Sequence, residues 1–192
     1  VTYELETTNS GGHSAQPRPD NAIYQLTDAL ARIAKHVFPV KMSEVTKVYF
    51  ERSAAFADGQ EAADMRAVAR DNPEMAAVGR LSAKAFYNAQ FRTTCVTTML
   101  DAGHAENALP QRARATLNCR ILPNDDAAEV ERIVKALAGD KVAVKHRYPP
   151  TLSPPSPLRA DVVGAVEKLT SQMWPGVPVV PTMSSGATDS RF

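Results

Sequence analysis

The order in which apolar periodicity changes along the first 148 residues constrains this chain more than any other feature. Val1 to Thr7 alternate apolar and polar side chains with β-branched residues among them, the period of a strand. Asn9-Ser10-Gly11-Gly12 breaks that strand, and Pro17 and Pro19 keep the next stretch extended. With Asp20 or Asn21 as cap, Ala22, Ile23, Leu26, Ala29, Leu30, Ile33, Ala34 and Val37 then recur at helical spacing, and Pro39 ends the run. Two β-branched runs follow further on, Thr93 to Leu100 and Ala113 to Leu122, separated by a turn segment with Gly103. Asn124 or Asp125 caps a short predicted helix from Ala127 to Ala138, and Val142 to Tyr148 alternates again.

Strand, helix, strand, strand, helix, strand is the split βαβ order of a ferredoxin-like layer, one sheet with helices on one face. The predicted class is therefore α+β. A helical insert over about residues 58–87, in which Asn72-Pro73 restarts the helix, interrupts that order. After Tyr148 the character changes. Pro149-Pro150, Pro154-Pro155 and Pro157 make a stiff linker. A helix from Leu158 to about Trp174 and a strand over Val177 to Val180 are expected beyond it. One helix and one strand cannot bury both their apolar faces, so this tail expects a partner that the chain does not supply.

Composition excludes more than it assigns. Apolar residues make up 44%, enough for a core, and the net charge is +1 with acids and bases interspersed. Nothing in that balance points to nucleic acid or an anionic membrane as partner. No apolar run approaches the ~20 residues of a membrane-spanning helix. Val1 is not preceded by Met or by a leader pattern, which reads as a true N-terminus lying upstream; the compartment stays open.

A hydrolytic zinc site needs three or more His, Asp, Glu or Cys side chains converging on a point. His13, His36, His104 and His146 are widely spaced, and His104-Ala105-Glu106 lacks the Pro-Cys-x-x-Cys that completes a deaminase site. The expectation is that no metal binds within this chain. There is no Gly-x-Ser-x-Gly elbow and no phosphate-binding loop, and the Ala113 strand carries no aromatic residue with which to stack bases. If the turn between the two central strands is centred on Asn107, residues whose numbers sum to about 214 face one another. Cys95 and Cys119 satisfy that sum, and two reduced or merely adjacent thiols are expected there.

Three short motifs remain. Gly11-Gly12-His13-Ser14-Ala15 is followed by Pro17 and by Asn21-Ala22. Asn107-Ala108-Leu109-Pro110 precedes Asn118-Cys119-Arg120 and Pro123. Ser185-Gly186-Ala187-Thr188-Asp189 lies near the C-terminal end. In this order they resemble the signatures of the aminoacylase, carboxypeptidase-S and succinyl-diaminopimelate desuccinylase family of two-zinc metallopeptidases. That family inserts a ferredoxin-like dimerisation (lid) domain into a zinc-binding α/β catalytic domain.

The resemblance implies that residues 1–148 are the lid, and that residues 149–192 are the linker and an incomplete return segment of the catalytic domain. It further implies a homodimer, two zinc ions held in the parent protein by residues outside this chain, and a peptide or N-acyl amino acid as substrate. His13 would reach across the dimer to stabilise an oxyanion in the other subunit's site. Asn107, Arg120 and Gly186 would position substrate, and Asp189 would brace its loop. On the residues alone, His13 is an ordinary turn histidine, Asn107 a turn former and Arg120 a solvated strand residue. The rival readings are a stand-alone dimerisation or interaction module and an inactive homologue. Alone, the chain is expected to hydrolyse nothing.

Overall fold

The computed structural model describes residues 1–184 and residue 186. It divides into two compact units. The first comprises Val1–Phe38, Thr93–Ile121 and Asp125–Leu152, and the second comprises Pro39–Arg92, Leu122–Asn124 and the chain from Ser153 on.

In the first unit, β1 (Thr2–Thr8), β3 (Thr94–Ala102), β5 (Arg112–Arg120) and β6 (Ala143–His146) form one sheet in the order β3-β5-β1-β6. All neighbouring pairs are antiparallel. Helices α1 (Ala22–Lys35) and α6 (Ala127–Ala138) supply the other layer. Alternation decides what is buried. Tyr3, Leu5 and Thr7 of β1 and Ala113, Ala115, Leu117 and Cys119 of β5 point inward, against Leu26, Ala29 and Ile33 of α1 and Val130 and Val134 of α6. This is the predicted α+β layer, and it matches the split βαβ order read from the sequence.

The caps explain the helix limits. The Asn21 side chain accepts from the amides of Ile23 and Tyr24. Asp126, rather than Asn124 or Asp125, caps α6 by accepting from the Ala128 amide at 2.9 Å. Asp125 is otherwise engaged, accepting from the Thr93 hydroxyl and from the Asp126 amide. At the other end of α6, the Arg32 guanidinium donates to the Leu137 and Ala138 carbonyls at 2.7 and 2.9 Å, satisfying acceptors the helix leaves open.

Cys95 and Cys119 do face each other, but as a disulfide rather than the expected pair of thiols. The amide and carbonyl of Cys119 both bond Val1 on the β1 side, at 2.8 and 2.9 Å. Toward β3 the pair is therefore a non-hydrogen-bonded one, the position at which opposed side chains approach closest. Past Thr97 a bulge shifts the register so that Met99 faces Thr116.

The second unit holds more helix than the sequence predicts. Besides α3 (Gly59–Val68), α4 (Met75–Leu81) and α5 (Ala85–Phe91), Glu44–Ser53 forms α2. Val45, Thr46, Val48, Tyr49 and Phe50 carry little helix propensity. Packing overrides it: Phe50 is fully buried and stacks on Phe91 with ring centroids 4.8 Å apart, and Ser43 caps the helix start. Asp64, buried, accepts two hydrogen bonds from the Arg80 guanidinium and one from Gln60. Helix α7 (Ala160–Met173) buries none of its residues, and Val162, Val166, Leu169 and Met173 are exposed. The strand expected over Val177 to Val180 does not form. Pro178 has no amide to donate, and the Val179 carbonyl accepts instead from the Arg52 guanidinium at 2.7 Å.

Candidate functional site

Between β1 and α1 the chain leaves the sheet to make a two-residue ribbon. Strand β2 (Gly12–His13) pairs with β4 (Ala108–Leu109), with His13 opposite Ala108. Both glycines hold a backbone conformation that side chains rarely adopt, and at Gly11 space forbids a side chain as well. Gly11 has a φ of 71°, and a Cβ there would lie 2.7 Å from the Gln111 Cγ. Gly12 has a φ of 151° and would place a Cβ 3.2 Å from Leu109 Cδ1.

His13 is exposed and held by local main chain. Its Nδ1 accepts from the Ala15 amide at 3.1 Å, and its carbonyl accepts from the Gln16 amide at 2.9 Å. An Nδ1 that accepts carries no proton, so the neutral ring presents its N–H at Nε2, away from the turn. The geometry makes His13 an outward-facing hydrogen-bond donor. Asn107 is its neighbour, because the Asn107 carbonyl accepts from the Ser14 amide at 2.9 Å. Downstream, Arg18 and Asp20 form a two-bond ion pair, and the Arg18 guanidinium holds the Asp20 carboxyl below the usual carboxylate range. Beside the ribbon lies an open groove of about 590 Å³, between the start of α1 and the connection from β3 to β4. Tyr24, His104, Glu106 and Leu109 are among its lining residues.

Of the residues singled out in the sequence, His13 and Asn107 come together and Arg120 does not join them. Arg120 is exposed at the end of β5 opposite Thr94, eight residue steps from Arg112, or roughly 27 Å at the usual strand rise. Gly186 belongs to the second unit, where its amide donates to the Ser184 hydroxyl oxygen at 3.2 Å. The rest of its motif, Asp189 included, lies outside the described residues. Among the described residues no three His, Cys, Asp or Glu side chains are grouped so as to hold a metal ion. The described residues therefore do not fit a metal ion. Among the same residues, no helix is long and apolar enough to cross a membrane.

Asn9 escaped the sequence reading, where it stands only as a strand breaker. Its side chain donates to the Asp20 carbonyl and accepts from the Gly11 amide, tying the two ends of the His13 segment. An Asn two residues ahead of the Gly11-Gly12 pair is the signal that marks it.

An antiparallel four-stranded layer of this order, with two helices on one face, defines the class as an α+β ferredoxin-like domain. The chain belongs to the M20 peptidase dimerisation-domain family: residues 1–146 match the family model described as the peptidase dimerisation domain. It is 27% identical over 199 residues to the probable carboxypeptidase S-like 2 of Dictyostelium discoideum, covering 100% of this chain and 37% of that protein. Against the human N-fatty-acyl-amino acid synthase/hydrolase PM20D1 it is 27% identical over 195 residues, covering 98% of this chain and 38% of that one. The chain thus spans well under half the length of these curated relatives. Among solved structures, the M20 family metallo-carboxypeptidase Sso-CP2 of Sulfolobus solfataricus shares the fold with a TM-score of 0.58 at 17% identity, over 97% of this chain and 52% of that one. Human carnosine dipeptidase 1 does so with a TM-score of 0.54 at 12% identity, over 94% and 44%.

Proposed function

We propose that this chain is the dimerisation and lid portion of a metal-dependent peptidase or amidohydrolase that cleaves a peptide or N-acyl amide bond beside a free carboxylate. The two zinc ions of this reading would be held by other parts of the parent protein, where they would serve to activate water, and the chain alone is inactive. Residues 1–148 serve as the lid and residues 149–192 as the linker and return segment of the catalytic domain. The observation that carries this reading is the His13 ring, whose Nδ1 accepts from the Ala15 amide so that Nε2–H faces outward from the β2–β4 ribbon. A neutral imidazole donor is what a developing oxyanion needs. The relatives bear carboxypeptidase and N-acyl-amino-acid hydrolase names, which supports the bond class.

Geometry also supports a site shared between subunits. One small substrate cannot touch both ends of β5, so His13 and Asn107 serve the partner's site while Arg120 serves its own. Arg120 grips the substrate carboxylate through its planar fork, and Gly186 gives substrate close approach to bare backbone. Pairing of two copies falls to β3, an edge strand of nine residues whose Val96, Met99 and Leu100 are each about 60% exposed. A long apolar edge of that kind is a template for another strand.

The test is His13→Ala in the full-length protein. Turnover of an N-acyl amino acid or dipeptide falls at least a hundredfold, the magnitude of one lost oxyanion donor, with metal content unchanged. An unaltered rate sinks the assignment.

A further inference from the structure

Resting on the reading of His13 as an oxyanion donor, we propose that Asn9 is the positioning residue that holds it. Between β1 and the Asn21 cap the chain runs through Ser14–Pro19, all exposed, with only the two-residue β2 pairing as regular structure. Such a segment does not hold a ring in place by packing. Asn9 fixes it from both ends. Its main-chain amide donates to the Gln111 carbonyl at 2.8 Å, anchoring the segment to the start of β5. Its side-chain oxygen accepts from the Gly11 amide at 3.0 Å, shaping the turn that enters β2. Its side-chain nitrogen donates to the Asp20 carbonyl, the residue before the α1 cap.

Only a carboxamide does both jobs. Aspartate has nearly the same shape and retains the acceptor, but it sets a charged oxygen against the Asp20 carbonyl. Alanine removes both bonds. With Asn9 in place, the Gly11 turn delivers His13 opposite Ala108 and brings the Ala15 amide onto Nδ1. Loss of the tie lets the segment open at the Asp20 end, and the bond from Ala15 to Nδ1, which selects the tautomer, is the first to go.

The experiment reads the ring directly. Long-range proton–nitrogen spectra of the histidine-labelled full-length protein are recorded at a pH where the rings are neutral, for the native protein, Asn9→Ala and Asn9→Asp, with His13→Ala assigning the ring. In the native protein, His13 shows an unprotonated Nδ1 and a protonated Nε2. In both variants its two nitrogen resonances move toward each other as tautomers mix, while those of His36 and His146 stay in place. His36 and His146 report that the variants still fold, and the near-isosteric Asn9→Asp guards against collapse of the alanine variant. A His13 signature unchanged in Asn9→Asp overturns the proposal, as does a native ring protonated at Nδ1.

In the full-length protein, kcat falls about tenfold in Asn9→Asp with little change in KM, and the same substitution is silent in a His13→Ala background. A loss that persists without His13 refutes action through that ring. Failure of the underlying reading is distinct: His13→Ala itself would leave turnover intact, whatever Asn9 does to the spectrum.

Discussion

Reduction of the Cys95–Cys119 disulfide offers the sharpest test of the sheet. The bond joins residues 24 apart in sequence, one on the edge strand β3 and one on the central strand β5. In the chain-entropy account, a crosslink closing a loop of that length removes roughly 3.5 kcal/mol of denatured-state freedom. Cys119 is fully buried in the core, so replacing it would add a cavity or a buried hydroxyl to the measurement. Reduction leaves the sulfur atoms where they are and is the cleaner perturbation. For a unit of roughly 100 residues, a loss of about 3 kcal/mol lowers Tm by on the order of 15 °C. Calorimetry and urea unfolding with and without a phosphine reductant measure it. The urea m-value should rise on reduction, because the released denatured chain expands and exposes more surface. Titration of the denatured, unreduced chain should find no free thiol. Two free thiols, or a Tm that ignores the reductant, would refute the pairing and its energetics together.

Two further outcomes follow from the same geometry. Arg80 holds the Asp64 carboxyl below its ordinary value of 3.8, so as pH falls below 3.8 the unfolded chain takes up that proton before the folded one. The contribution is complete above that value and lost as pH drops through the folded pKa; urea midpoints of the native chain should therefore fall more steeply with acid than those of Asp64→Asn, and parallel curves would dismiss the ion pair as an acid-sensitive element. On the edge strand, Val96→Lys with Leu100→Lys should convert a sedimenting dimer to monomer, and persistence of the dimer would move the interface away from β3.

The sequence by itself determined the parts of this protein that depend on local periodicity. Period-two runs gave β1, β3, β5 and β6, helical spacing gave α1 and α6, and their order left one sheet topology. The turn centred near Asn107 even placed Cys95 opposite Cys119, because pairing across a hairpin is arithmetic. Tertiary structure decided what local pattern does not encode. Helix α2 forms from β-branched and aromatic residues because Phe50 finds Phe91, a partner more than forty positions away. Val177 to Val180 has strand composition but no strand, since a strand needs a neighbour to accept its hydrogen bonds. Chemistry follows the same division. The Gly-Gly-His and Asn-x-x-Pro motifs stand out in the chain, yet only pairing of β2 with β4 sets His13 beside Asn107, and only the length of β5 keeps Arg120 from joining them. Asn9 shows in sequence only as an Asn ahead of a glycine turn; the partner of its tie does not, because the acceptor is the main-chain carbonyl of Asp20, and every residue has one.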